Sequence, residues 1–224
     1  MNQSPGPQDY IVPPCKAQLE ILYADQALLL VNKPSGLLSV PGKHPANRDC
    51  LITRLLGDYP EARIVHRLDL DTSGLMVVAL NADCHRQLSR QFEQRQVEKG
   101  YEAVVFGNLE SDEGEIDMPL ICDWPNRPKQ KVDWQQGKPA QTRYRVLRRE
   151  PDRSLLQLRP VTGRSHQLRV HLMAIGHPIL GCDFYAHPEA LAMAPRLLLH
   201  ATELSFTHPQ SGEQVNGYSP RPFA

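Results

Sequence analysis

The sequence predicts an α+β fold with a central sheet that is mostly antiparallel or mixed, flanked by helices and loops. Two observations carry that reading. Candidate strands outnumber candidate helices along the 224 residues. Neighbouring strands also follow one another without a helix between them, whereas a parallel sheet needs a crossover after each strand. A chain of this length buries roughly 70% of the surface its unfolded form exposes, so the core needs no covalent staple.

The elements follow in order. Residues 1–18 are rich in Pro and polar groups and read as a flexible tail. Residues 19–224 read as one domain. Residues 19–23 and 28–32, around Ala24-Asp25-Gln26-Ala27, read as a hairpin. Lys33-Pro34-Ser35-Gly36-Leu37 then interrupts the strand, because Pro and Gly punctuate. A short helix is expected over 49–56. Residues 75–80 are all apolar and predict a buried strand. Asn81 is placed to cap a helix over 82–97, with Leu88 and Phe92 spaced i, i+4. Residues 101–106 predict a strand, and 107–139 read mostly as loop, which in a compact domain is usually functional or mobile. Two strands are expected over 141–147 and 155–158, followed by a turn at 160–164. Leu168, Leu172 and Ile175 recur at i, i+4, i+7 and predict a helix over 165–175, with Gly176 as its stop. The last expected strand covers 197–206.

Composition excludes several classes of protein. The five cysteines lie at 15, 50, 84, 122 and 182 with no CxxC spacing, which fits free thiols in a reducing compartment rather than disulfides or zinc. The first residues lack a basic stretch followed by an apolar run, so no signal peptide is read. The apolar run at 75–80 is far too short to span a bilayer. The expectation is a cytoplasmic monomer without a membrane partner. Net charge is zero, yet it is unevenly spread. Residues 125–149 carry eight basic side chains (Arg127, Lys129, Lys131, Lys138, Arg143, Arg145, Arg148, Arg149) and one acid, Asp133. Residues 108–123 carry six acids and no Lys or Arg. That asymmetry predicts a positive surface beside a negative one, although a solvated strand face explains it as well.

The segment His66-Arg67-Leu68-Asp69-Leu70-Asp71-Thr72-Ser73-Gly74 is the most informative in the chain. It sets Asp69 between apolar neighbours on a loop that a core strand fixes in place, an arrangement active sites favour. Asp71 precedes Thr-Ser-Gly and reads as an exposed turn residue. A half-buried Asp69 needs a cation or donors, for which Arg67, Arg164 and Arg169 are the candidates. The second cluster, residues 162–171, holds Arg164, His166, Gln167, Arg169 and His171 with no acid, and a helix start beside such donors suits a phosphate. Among the nine histidines no HExxH or ligand-spaced Cys/His set occurs, so no metal is expected. GxSxG, Walker and GxGxxG patterns are missing too, which argues against a serine hydrolase or a nucleotide cofactor.

Residues 66–74 resemble the HRLDxxTSG hallmark of the RluA family of pseudouridine synthases. The resemblance extends to Lys33-Pro34-Ser35-Gly36-Leu37, Lys99-Gly100-Tyr101, residues 158–171, residues 176–181 and Leu197-Leu198-Leu199-His200-Ala201, in family order from residue 19 onward. Residues 120–131 look most like the RluA branch, which modifies a uridine in 23S ribosomal RNA and one in a tRNA anticodon stem-loop. The resemblance implies the pseudouridine-synthase fold and a cofactor-free isomerase. It implies Asp69 as nucleophile, and Tyr101 stacked on the target base and assisting the last deprotonation. It further implies Arg169 paired with the aspartate and Arg67 entering the RNA stack as the base leaves. His66 and Arg164 would join the substrate contacts, Leu199 would wall the base, and Arg127, Lys129 and Lys131 would meet phosphates. One departure is Cys182, which stands between Gly181 and Asp183 where family members read Gly-Asp. No N-terminal S4-type RNA-binding domain is expected. Two rival readings use the same residues: an RNA N-glycosidase that releases uracil, and a non-catalytic RNA-binding protein.

Overall fold

The computed structural model describes residues 10–224. Twelve strands and four α-helices follow in chain order among these residues. They are β1 (Glu20–Ala24), β2 (Leu28–Lys33), α1 (Leu51–Leu55), β3 (Arg63–Ile64), β4 (Ser73–Ala79) and α2 (Ala82–Glu93). Then come β5 (Glu98–Phe106), β6 (Glu113–Asp117), β7 (Leu120–Cys122), β8 (Gln130–Val132), β9 (Gln141–Arg149) and β10 (Arg153–Pro160). The chain finishes with α3 (Gln167–Ala174), α4 (Pro188–Ala192), β11 (Leu199–Thr207) and β12 (Gln214–Tyr218). The fold class is the expected one, α+β with mostly antiparallel sheet.

The chain packs as two compact units. Among the described residues the first comprises 10–97 together with Leu204–Ser219; the second comprises Glu98–Glu203 and Pro220–Ala224. In the first unit β2 pairs antiparallel with β1 on one side and β4 on the other, with Leu28 opposite Ala79 and Lys33 opposite Gly74. All seven residues of β4 are buried. Leu75, Val77 and Ala79 share a core with Leu28, Leu30, Leu88 and Phe206. Residues 10–17 form no helix or strand but are tied down: Asn47 Nδ2 donates to Tyr10 O (2.8 Å) and Arg54 Nη1 to Ala17 O (2.6 Å).

In the second unit β10 lies between β5 and β9, and β9 pairs in turn with β6, all antiparallel. Its core gathers Ala103, Val105, Leu156, Leu158, Leu168, Leu172 and Leu199. The sheet explains the apolar side of α3, whose Leu168 and Leu172 meet that cluster.

Several boundaries differ from the expected ones for local reasons. Strand β4 starts at Ser73, two residues before the apolar run, because Lys33 and Asn32 continue the ladder to Gly74 and Leu75. Helix α2 keeps its cap, with Asn81 accepting from Cys84 N–H at 2.8 Å, but it stops at Glu93, and Arg95 takes the left-handed φ of 58°. Helix α3 begins at Gln167 rather than 165, since His166 holds φ 55°. Residues 107–139 are mostly loop, as expected, but three short strands, β6, β7 and β8, interrupt them. Strand β6 buries one residue, Ile116, so its apolar signal was too thin to read.

Candidate active site

Asp69 sits half-buried on the loop that enters β4. Its neighbours' backbone is fastened on every side within the first unit. Ser39 Oγ donates to Leu68 O (2.8 Å) and accepts Leu68 N–H (3.2 Å). The carbonyl of Leu70 accepts from Gly36 N–H (2.9 Å) and from the Lys33 ammonium (3.1 Å). The carbonyl of Asp71 accepts from Ser35 Oγ (2.8 Å). Lys33 is fully buried and also donates to Pro34 O (3.0 Å) and Leu37 O (2.7 Å). A buried ammonium without such acceptors would cost several kcal/mol; with three carbonyls it becomes a rivet. The Lys-Pro-Ser-Gly turn is thus the clamp of the aspartate loop, and Gly36 supplies the positive φ (79°) that turn requires.

His66 and Arg67 precede Asp69 and are placed differently. The ring of His66 stacks on Phe92 (4.5 Å, 22°), and its Nε2 accepts Val77 N–H at 3.1 Å. Accepting there requires a neutral imidazole protonated on Nδ1. Arg67 is exposed. Asp71, expected at the surface, is half-buried.

The remaining candidates belong to the second unit. Tyr101 lies on β5 opposite Leu158 and packs half-buried against the apolar cluster that contains Leu199. Arg169 is 2% exposed on α3. Its Nη2 donates to Asp183 Oδ1 at 2.7 Å and its Nε to Cys182 Sγ at 3.3 Å. Its guanidinium also stands 5.2 Å from the Phe184 ring and 5.3 Å from the Tyr185 ring. Asp183, the acid that Cys182 separates from Gly181, is therefore a partner of the buried arginine. The acid following Gly181-Cys182 was the available signal.

The cluster at 162–171 does not present all its donors outward. Gln167 is buried: its Oε1 accepts Thr162 Oγ (2.7 Å) and Arg164 N–H (3.0 Å), and its Nε2 donates to Gln141 O (2.9 Å) and Thr142 Oγ (3.0 Å). His171 is fully buried, with Nε2 donating to Met118 O and Nδ1 accepting from Thr142 Oγ, both at 3.0 Å. Desolvation pushes the His171 pKa below its ordinary value, so it is a neutral core group. His166 shares its Nδ1 with the Tyr185 hydroxyl at 2.6 Å. That hydroxyl accepts Gln130 N–H (2.8 Å) and so ties β8 to the start of α3. Arg164 is half-buried and donates to Pro139 O (3.1 Å).

The charge blocks at 108–123 and 125–149 do not form opposed patches. In register across β6 and β9, Glu115 faces Arg143 and Glu113 faces Arg145, with ion pairs of 3.0 and 3.5 Å. Asp112 takes Arg149 at 2.6 Å. What remains positive is the β7–β8 hairpin. Among the described residues Arg127, Lys129 and Lys138 form no ion pair, and Lys131 approaches Asp133 only at 4.0 Å. Among the described residues no three His, Cys, Asp or Glu side chains are grouped to hold a metal, and no helix is long and apolar enough to cross a membrane.

Comparison with known proteins agrees with this arrangement. Residues 27–174 match the family model described as RNA pseudouridylate synthase. The chain is 60% identical over 197 residues to the dual-specificity RNA pseudouridine synthase RluA of Yersinia pestis, covering 88% of this chain and 96% of that one. It is 55% identical over 212 residues to the protein of the same name from Escherichia coli, covering 94% and 97%. Among solved structures, human RNA pseudouridylate synthase domain containing 1 superposes with a TM-score of 0.80 at 30% identity, over 96% of this chain and 88% of that one. The chain belongs to the RNA pseudouridylate synthase family and is an RNA-modifying isomerase.

Proposed function

We propose that Asp69 is the group through which this isomerase detaches uracil from ribose and rejoins it through carbon, with no cofactor. The pinned loop around Asp69 is the observation that carries this. A carboxylate suits the reaction because it can stabilise or attack an electron-poor sugar carbon, take a proton, and leave again. Holding its backbone at Leu68, Leu70 and Asp71 supplies the preorganisation such chemistry needs. The glycosidic carbon–nitrogen bond breaks, the base turns, a carbon–carbon bond forms, and the proton on that ring carbon is lost while the freed nitrogen gains one. Atoms balance without any added reactant.

Tyr101 serves as the stacking partner of the base and as an aid to the last deprotonation, with Leu199 of the same apolar cluster as its wall. Arg169 takes the role of the arginine that the family resemblance sets beside the aspartate, and Asp183 and Cys182 hold its guanidinium. Arg67, exposed, fills the stack that the uridine leaves, offsetting part of an unstacking cost of a few kcal/mol. His66 and Arg164 shape the substrate contacts. Arg127, Lys129 and Lys131 meet phosphates. The RNAs we assign are stem-loops of 23S ribosomal RNA and tRNA, met in the cytoplasm by a monomer; the name of the relatives, dual-specificity, supports two substrates. Pseudouridine mapping of total RNA from cells with and without the protein tests this. The reading predicts positions lost in both RNA classes and unchanged RNA mass. Release of uracil would make the protein a glycosidase instead.

A further inference from the structure

The chain has two tryptophans, and both stand at the surface. Trp124 is 68% exposed and Trp134 is 71% exposed. An indole offers one of the largest apolar gains on burial, so leaving it in water calls for a partner. Trp124 opens a single 3₁₀ turn, Trp124–Asn126, at the tip of the β7–β8 hairpin. That tip is ordered by its own bonds. Asp123 N–H donates to Lys129 O (2.9 Å), Lys129 N–H to Asn126 O (3.0 Å), and Asn126 Nδ2 to Asp123 Oδ2 (2.8 Å). The base of the tip is anchored by Gln130 N–H on the Tyr185 hydroxyl.

The Arg127 guanidinium carbon lies 4.0 Å from the Trp124 ring centroid. No other ring of the described residues packs on Trp124. Arg127 and Lys129 beside it lack an ion pair among the described residues. An apolar protein partner would be met by apolar neighbours; here the neighbours are two cations, a proline and an asparagine. Trp134 differs: no cation stands over its ring among the described residues, and the adjacent Asp133 carboxylate is spent on Gln135 and Gln136 N–H groups.

We propose that Trp124 is a stacking platform for an unpaired nucleobase of the RNA, with Arg127 and Lys129 set against the flanking phosphates. The proposal rests on the RNA substrate described above and adds a base contact to it. In a duplex the base faces are hidden by their neighbours, whereas loop and bulge bases splay out onto aromatic side chains and guanidinium planes. Trp124 thereby favours stem-loops over continuous duplex.

The test uses the full chain. Trp134→Phe leaves Trp124 as the sole indole emitter. Its fluorescence is titrated with a stem-loop RNA bearing unpaired loop bases and with a blunt duplex of equal length, while filter retention of labelled RNA reports binding separately. The stem-loop is expected to quench Trp124 and the duplex to leave it bright. Trp124→Ala should weaken stem-loop binding about 5- to 100-fold and raise KM more than it lowers kcat. Trp124→Phe should recover part of that loss, and Trp134→Ala should change little. Retained stem-loop binding with an unquenched Trp124, or an equal loss on duplex and stem-loop, overturns the stacking platform. No retention of either RNA overturns the RNA-substrate reading beneath it.

Discussion

The Asp69 loop and the β7–β8 hairpin put polar groups to opposite uses. Around Asp69, donors from Lys33, Ser35 and Ser39 meet carbonyls one or two residues from the carboxylate, and an all-buried strand follows. At the hairpin, Trp124, Arg127 and Lys131 face solvent and the strands are three residues long. On the proposed reading Asp69 is the reacting group, which gains from fixed geometry, and the hairpin cations are phosphate contacts, which gain from having at most a distant carboxylate partner. One change should therefore strike the chemical step in the first region and binding in the second.

The sharpest way to break the contrast is Asp69→Asn, which should lower kcat by at least about three orders of magnitude while leaving the dissociation constant for stem-loop RNA within a few-fold. Equal loss of binding would erase the distinction. Next in size is Lys33→Met. Removing the ammonium takes a donor from three carbonyls, of which Leu70 O keeps Gly36 N–H, and denaturant unfolding should show a loss of about 3 kcal/mol, with kcat falling in the fraction that stays folded. Asp183→Ala leaves Arg169 buried without a carboxylate that it holds at 2.7 Å. We expect kcat to fall about 10- to 100-fold with KM nearly constant, and Asp183→Glu to restore part of it.

A smaller effect should appear in acid. The His171 pKa lies below the ordinary histidine value of 6.5 because burial disfavours the charged ring. The unfolded chain then binds the proton more readily than the folded one. Stability is full above pH 6.5 and declines as pH falls from there toward the folded pKa, by no more than about 1.4 kcal/mol per pH unit for one group. His171→Gln, followed by thermal unfolding at several pH values, should flatten that slope. Smallest of all is Lys129→Ala, which should reduce the slope of log affinity against log salt by about one and raise KM a few-fold with kcat intact.

Much of the site was legible because its signals are local. The apolar run of β4 and the Asn81 cap each act within a few residues and stand where the sequence puts them, whereas Ser73 and Gly74, read as turn chemistry, open strand β4. What escaped depends on distant partners. The pairing of Glu113 with Arg145 needs the register of β6 on β9, separated by more than twenty residues. His171 reads in the sequence as one more donor of the cluster at 162–171, yet the helix turns it toward Thr142 and Met118. Strand β12 is half exposed along its length and carries no strong alternation of apolar residues. Asp183 could be noticed as an acid after a glycine turn, but only the packing of α3 shows that it meets Arg169.

The ladder of glutamates against arginines on β6 and β9 has a consequence for traffic among polyanions. With that wall electrically muted and the overall charge balanced, the proposed reading leaves the β7–β8 hairpin as the main point of attraction for nucleic acid. On that reading encounters with the wrong strand are brief, and the modified transcript departs before it blocks the next.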